Sequence, residues 1–249
     1  MALHRRYGII SDIHANYPAL EVVLDYLPRL GVEYILNLGD LIGYGAFPSD
    51  VLRTVMSRTD MLTIMGNHDR MLVGEPDPTM RKTAQKVLDW TKQNVTMAQL
   101  RYVASLPSGL TLENQLILVH ASLEERDTYI LTTKEVEKDF AVMVREFPEF
   151  RISFFGHTHR PMLISTHAVV TDLKETQTFQ LDRGEIYLIN PGSVGQPRDK
   201  CPLACFGVLD TEAWTMTFVR IPYDLRAAQR QIIENGLPEK FARRLALGT

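Results

Sequence analysis

Short apolar runs bounded by turn residues recur along the first two-thirds of the chain, and five of them lead straight into side chains suited to holding a metal. Tyr7 to Ile10 precedes Ser11-Asp12-Ile13-His14, and Tyr34 to Leu38 precedes Gly39-Asp40. Leu62 to Met65 precedes Gly66-Asn67-His68-Asp69, Leu116 to Val119 precedes His120, and Ile152 to Phe155 precedes Gly156-His157-Thr158-His159. Runs of this length and composition read as buried strands. Between them, apolar positions recur at helical spacing. Leu20, Val23, Leu24 and Leu27 follow Pro18, and Val51, Leu52, Val55 and Met56 follow Pro48-Ser49. Thr96 to Gln99 and Thr132 to Glu135 have the capping-box pattern and open two more helices, which Pro107 and Pro148 close. Strand-helix alternation implies right-handed crossovers and a largely parallel sheet. If the five strands are parallel neighbours, all five clusters open at one rim, at the carboxyl ends where open α/β sheets bind their ligands.

The last third changes period. Met162 to Val170, Thr176 to Leu181, Glu185 to Ile189, Ala204 to Leu209 and Thr215 to Ile221 read as consecutive short strands of an antiparallel meander. They predict a second sheet packed on the first. The expected fold is α/β, a four-layer α-β-β-α sandwich of two mixed sheets flanked by helices. No repeat or linker divides residues 1–249, so one domain is expected. It would carry a helical insert over about 77–107 and C-terminal helices over about 224–247, the first capped by Asp224 and stopped at Gly236.

Composition narrows the function. The chain has 249 residues, 45% hydrophobic and 23% charged, as in ordinary globular proteins. A net charge of -3 argues against binding along an extended nucleic acid, which needs a basic face. No apolar stretch reaches the roughly 20 residues of a membrane span. No apolar segment follows the basic N-terminus, so no secretory signal is read there. The two cysteines, Cys201 and Cys205, make no disulfide framework, and a cytoplasmic location is expected.

Five of the seven histidines fall at the strand ends, leaving His4 and His167 without an assigned role. Singly, each cluster also reads as a turn, a helix cap or a structural histidine. Together they supply what phosphate-ester hydrolysis needs: carboxylates, imidazoles and an amide oxygen around two cations roughly 3.5–4 Å apart, which neutralise phosphoryl oxygens and activate water. With no thiolate in the set, Mn²⁺, Fe, Zn²⁺ or Co²⁺ is expected, rather than a cysteine-bound structural zinc.

Asp12-x-His14, Gly39-Asp40-x-x-Gly43, Gly66-Asn67-His68-Asp69, His120 and Gly156-His157-Thr158-His159 occur in that order over residues 12–159. They resemble the five-motif signature of the calcineurin-like metallophosphoesterases. Asn190 to Arg198 resembles a segment of the family's small bacterial branch, which includes phosphodiesterases and diadenosine-tetraphosphatase relatives. The resemblance implies Asp12, His14 and His159 on one metal, Asn67, His120 and His157 on a second, and Asp40 between them. It implies that His68 serves the leaving group, with Asp69 orienting or polarising it. Asn16 is a candidate to support the site or to cap the first helix.

The chain departs from the family's protein phosphatases, which read Gly-Asp-x-x-Asp-Arg-Gly and Gly-Asn-His-Glu. Tyr44 stands where the phosphate-binding arginine would be, and tyrosine cannot make that bidentate contact. Tyr44 and Arg160 are therefore candidates for substrate contact, with Arg70 and Arg198 as other sources of the missing cation. Gly43 to Pro48 would form a mobile wall whose aromatics stack on a nucleobase. The resulting expectation is a metal-dependent phosphoesterase acting on a small phosphodiester or nucleotide-type substrate. A protein serine/threonine phosphatase is the alternative on the same scaffold, and a non-catalytic binding module the alternative of another class.

Overall fold

A computed structural model describes residues 5–75, 80–112 and 115–249. Among the described residues, twelve strands form two six-stranded sheets. β1 (Arg6–Ile10), β2 (Tyr34–Asn37) and β3 (Met61–Thr63) are parallel, joined by α1 (Tyr17–Tyr26) and α2 (Pro48–Ser57). β11 (Ala204–Asp210), β12 (Thr215–Ile221) and β9 (Gln177–Gln180) continue that sheet antiparallel from β1. The second sheet runs β4 (Gly109–Leu112), β5 (Leu116–Val119), β6 (Ile152–Phe154), β10 (Tyr187–Asn190), β7 (Met162–Ser165) and β8 (Val169–Val170). Within it β5, β6 and β10 are parallel.

Side-chain alternation along the strands builds the layers. Ile9 and Leu36 of the first sheet meet Leu118, Phe154 and Ile189 of the second in a core between the sheets. Their neighbours Ile10 and Ile35 turn outward onto Leu20, Val23 and Leu52 of α1 and α2. On the opposite outer face, Ile117 and Leu188 meet Met143 of α6 (Thr133–Glu146). The expected α-β-β-α sandwich is the observed fold.

Its strand assignment differs from the sequence reading in four respects. The five ligand-bearing strands are not neighbours in one sheet: three belong to the first and two to the second, and the rim is shared. The last third is not a separate meander. β9, β11 and β12 extend one sheet while β7, β8 and β10 extend the other, because β10 lies parallel to β6 and leaves β7 as its outer partner. The run from Met162 to Val170 folds back on itself as the β7-β8 hairpin, and β4 was not read as a strand.

Of the insert, residues 77–79 lie outside the described residues. The rest forms α4 (Lys82–Gln93) and α5 (Met97–Ser105). Thr96 caps α5 through the Gln99 N–H and takes the Gln99 side chain in return. α3 (Asn67–Leu72) precedes these two helices, directly after β3, while α7 (Leu225–Glu234) and α8 (Glu239–Leu247) close the fold. Among the described residues no helix is long and apolar enough to cross a membrane.

Candidate active site

The carboxyl ends of β1, β2 and β3 face those of β5, β6 and β10. Hydrogen bonds stitch the facing loops together. The His157 N–H donates to Asp12 Oδ2 (3.1 Å) and the Gly156 N–H to the His120 carbonyl (2.8 Å). After β10, Ser193 donates to the Asp12 carbonyl (2.8 Å), and the Arg198 N–H to the His159 carbonyl (3.1 Å). Asn16 caps α1 through the Ala19 N–H and donates its amide to the Gly195 carbonyl (2.9 Å). This packing holds Asp12, His14, Asp40, His157 and His159 at φ between 48° and 62°, the left-handed region that non-glycine residues seldom occupy. Backbone held there by surrounding structure is common at functional sites.

Donor atoms converge in two groups. Asp12, His14, Asp40 and His159 form one, and Asp40, His120 and His157 the other, the ligand atoms of each lying within 4.8 Å of one another. Asn67 Oδ1 joins the second group, 3.1 Å from His120 Nε2 and 3.0 Å from His157 Nδ1. The shared residue uses a single oxygen. Asp40 Oδ1 accepts the His68 N–H (2.8 Å), while Oδ2 lies 3.5 Å from His14 Nε2 and 3.4 Å from His120 Nε2.

The residues fit a metal. Each of the four imidazoles faces a backbone carbonyl with one nitrogen: His14 Nδ1 with Ile42 (3.0 Å), His120 Nδ1 with Leu38 (2.7 Å), His159 Nδ1 with Gln196 (2.6 Å) and His157 Nε2 with Asp127 (3.0 Å). A carbonyl can only accept, so that nitrogen carries a hydrogen and the other, turned into the site, is the one a cation would take. In His14, His157 and His159, which burial keeps neutral, the inward nitrogens are acceptors facing acceptors, His14 toward His159 and His157 toward Asn67 Oδ1. Asp12 Oδ1 is buried without a hydrogen-bond partner. A cation satisfies such a set.

Electrostatics follow burial and the two shared carboxylates. Burial holds His14 and His159 well below the usual histidine range and His157 down at about 3, so these rings are neutral donors at pH 7. Burial also disfavours charge on His120, but Asp40 and then Asp12 outweigh it and push the ring up to about 9. Asp40 itself is buried, yet the facing His120 and His68 rings hold it well below the usual carboxylate range. Burial pushes the carboxyls of Asp12 and Asp69 up to about 7.

A model of the calcineurin-like phosphoesterase superfamily domain matches residues 6–213. The chain belongs to the calcineurin-like phosphoesterases. It is a phosphate-ester hydrolase of a metal-dependent family. It is similar to an uncharacterized protein of Methanocaldococcus jannaschii, 32% identical over 247 residues, which cover 97% of each chain. A metallophosphoesterase from Sphaerobacter thermophilus superposes with a TM-score of 0.87 at 32% identity, over 99% of this chain and all of that one. A hypothetical protein from Pyrococcus horikoshii shares the fold, with a TM-score of 0.80 at 19% identity over 98% of both chains.

Around the donor groups of this phosphoesterase, His68 Nε2 lies 3.0 Å from the Tyr44 hydroxyl. The Asp69 oxygens accept the N–H groups of Leu41 (2.9 Å), Ile42 (3.4 Å) and Gly66 (3.0 Å), clamping the loop that carries Asp40. The two aromatics of the Gly43–Pro48 segment both have packing partners within the chain. The Tyr44 ring packs against His14, His68 and Phe241 at centroid distances of 4.6, 4.6 and 5.0 Å, and the Gly45 and Phe47 N–H groups bond the His14 and Ala15 carbonyls. Phe47 packs on Tyr17 instead.

The guanidinium that reaches Tyr44 belongs to Arg198, whose Nη2 lies 3.4 Å from the hydroxyl. Arg160 donates to the Arg198 carbonyl and lines a separate cavity, and Arg70 pairs with Asp127 and Glu75. Sequence reading missed Tyr129, whose ring stacks on His157 with centroids 4.0 Å apart. Tyr129 sits in an irregular loop before α6, where no periodicity marks it.

Proposed function

We propose that the chain is a dinuclear metal-dependent phosphoesterase acting on a small phosphodiester or nucleotide-type substrate, with residues 1–249 working as one domain. The observation that carries this reading is the single oxygen, Asp40 Oδ2, facing both donor groups. Asp12, His14, Asp40 and His159 would hold one cation, and Asp40, Asn67, His120 and His157 the other. When bound, two divalent ions supply neutralisation of the phosphoryl oxygens and activation of water at neutral pH. The donor set suits Mn²⁺, Fe, Zn²⁺ or Co²⁺.

The remaining chemistry is this chain's own. His68 is the proton donor to the leaving oxygen: its ring lines the cavity that opens beside Asn67, and its N–H fixes the orientation of Asp40. Tyr44, half-buried and held protonated above the usual tyrosine range by desolvation, positions the His68 ring. Arg198 brings positive charge to the same wall, where tyrosine has replaced the arginine of the protein phosphatases.

Metal-reconstituted protein should hold about two ions per chain and hydrolyse bis-p-nitrophenyl phosphate faster than a phosphoserine peptide. A stoichiometry that stays near zero would remove the dinuclear centre, and the reverse substrate order would restore the protein-phosphatase alternative.

A further inference from the structure

The cavity beside Asn67 and His68, about 330 Å³, is walled on its far side by the start of α4 and by α8. This volume lies at the small end of ligand pockets, roughly 300–1,000 Å³. Four cations line it: Arg81 from the insert, Arg198 from the segment after β10, and Lys240 and Arg244 from α8. Among the described residues its wall contains no carboxylate, and none of the four cations makes an ion pair. Elsewhere the buried arginines are paired, Arg70 with Asp127 and Arg220 with Asp199.

The cations are also close enough to oppose one another. Slight burial, and then the charges of Arg244 and Arg81, hold the Lys240 ammonium below the usual lysine range. Lys240 is steered by a hydrogen bond to Thr83 and by the Phe241 ring, 4.9 Å from Nζ, rather than by an acid. Like charges gathered around a concave wall focus a positive potential and favour an anion there.

We infer that Arg81, Lys240 and Arg244, with Arg198 at the junction, bind a second phosphoryl group of the substrate, so that the preferred substrate carries at least two phosphates. The inference rests on the proposed phosphoesterase centre and names the substrate class of that site. The scissile phosphate lies at the two donor groups beside Asn67 and His68. A neighbouring phosphate, joined to it through an anhydride or through one short linker, extends into the cationic pocket. Simple diesters with neutral substituents reach only the first position. A nucleoside polyphosphate and an inorganic polyphosphate share this chemistry and differ in whether a base is read as well.

The test compares wild type with Lys240→Gln/Arg244→Gln and with Lys240→Arg/Arg244→Lys, all metal-loaded and checked for unchanged melting temperature. Substrates are a nucleoside triphosphate, inorganic tripolyphosphate and bis-p-nitrophenyl phosphate. Chelation acts alike on every variant, so differences between variants report the pocket. The glutamine pair should lower kcat/KM for at least one polyphosphate by roughly tenfold or more, mostly through KM, as expected for lost charge-assisted contacts. The diester should change by less than about twofold, and the charge-conserving pair should recover most of the loss. Activity on tripolyphosphate equal to that on the nucleotide supports an inorganic chain, and activity on the nucleotide alone supports a base-bearing substrate.

Equal losses on polyphosphate and diester would make the cations structural and overturn the inference. So would no loss on either, or a wild type that cleaves the diester but no polyphosphate; in these cases the phosphoesterase reading survives. If the metal-loaded wild type cleaves none of the three, that reading fails first. Should the glutamine pair not fold, the single variant Arg81→Gln, at the exposed N-cap of α4, carries the same comparison.

Discussion

His14 Nε2 and His159 Nε2 face each other across 3.1 Å, while the Nδ1 of each ring is committed to a carbonyl, of Ile42 and Gln196 respectively. Two lone pairs at that separation repel unless a proton or a cation lies between them, and burial disfavours the proton. The native state is therefore tuned to a bound ion, and metal should stabilise it by mass action. Metal at about a hundred times its dissociation constant contributes about 2.7 kcal/mol. For a chain of this size that is a melting shift of roughly 5–10 °C. Differential scanning fluorimetry with chelator, then with Mn²⁺ restored, checks this. His14→Ala and His159→Ala should lose the metal-dependent part of the shift, and an identical melting point with and without metal would refute the tuning.

Metal binding should release protons, and its affinity should rise with pH. His120, at about 9, carries a proton at pH 7 that coordination must displace. Asp12, at about 7, adds a second proton below neutrality. His14, His157 and His159 are already neutral and release none. Affinity should rise about tenfold per pH unit between pH 7 and 8, and more steeply below 7. Calorimetry in buffers of different ionisation enthalpy reads the proton count directly. Affinity independent of pH from 6 to 8 would contradict the assignment of His120.

His68→Ala should keep both metals and lower kcat by about 10²–10⁴ on esters with poor leaving groups, with a smaller loss on p-nitrophenyl esters. Tyr44→Phe removes only the hydroxyl that lies 3.0 Å from the His68 ring, so it should show a weaker version of the same leaving-group dependence with KM little changed. Plotting log kcat against leaving-group pKa for the three enzymes tests both roles. Parallel lines for wild type and His68→Ala would rule out proton donation.

What the sequence disclosed was local, and what it concealed was pairing. Each ligand motif could be read because it sits within three residues of an apolar strand. The partition of strands between sheets could not, since Leu36 and Leu118 carry the same pattern whichever sheet they join. From sequence, Arg160 beside His159 is the candidate for substrate contact and Arg198 only one of two further sources of the cation. Only the turn after β10, tied down by Ser193 and by the His159 carbonyl, decides which one reaches Tyr44. The cationic pocket joins Arg81 to Lys240 and Arg244, over 150 positions apart, and no spacing rule spans that distance.

Asp69 provides the sharpest test between a chemical and an architectural role. Its carboxylate accepts three backbone N–H groups, from Leu41, Ile42 and Gly66, and so holds the loop after β2 against the start of α3. That loop carries Asp40, and the fit is close: a Cβ on Gly66 would lie 2.1 Å from Asp40 Oδ1. Asp69→Asn keeps the shape but turns an amide NH₂ toward an N–H, leaving one buried donor unpaired at a cost of about 1–3 kcal/mol. At pH 8, above the raised pKa of this carboxyl, the variant should melt several degrees lower and bind metal more weakly. Its enzyme, once saturated with metal, should keep the wild-type pH profile of kcat. If Asp69 instead polarised His68, the melting point and metal affinity would be preserved while the acidic limb of that profile moved. Guanidinium denaturation and a pH-rate series on the same variant therefore separate the two roles.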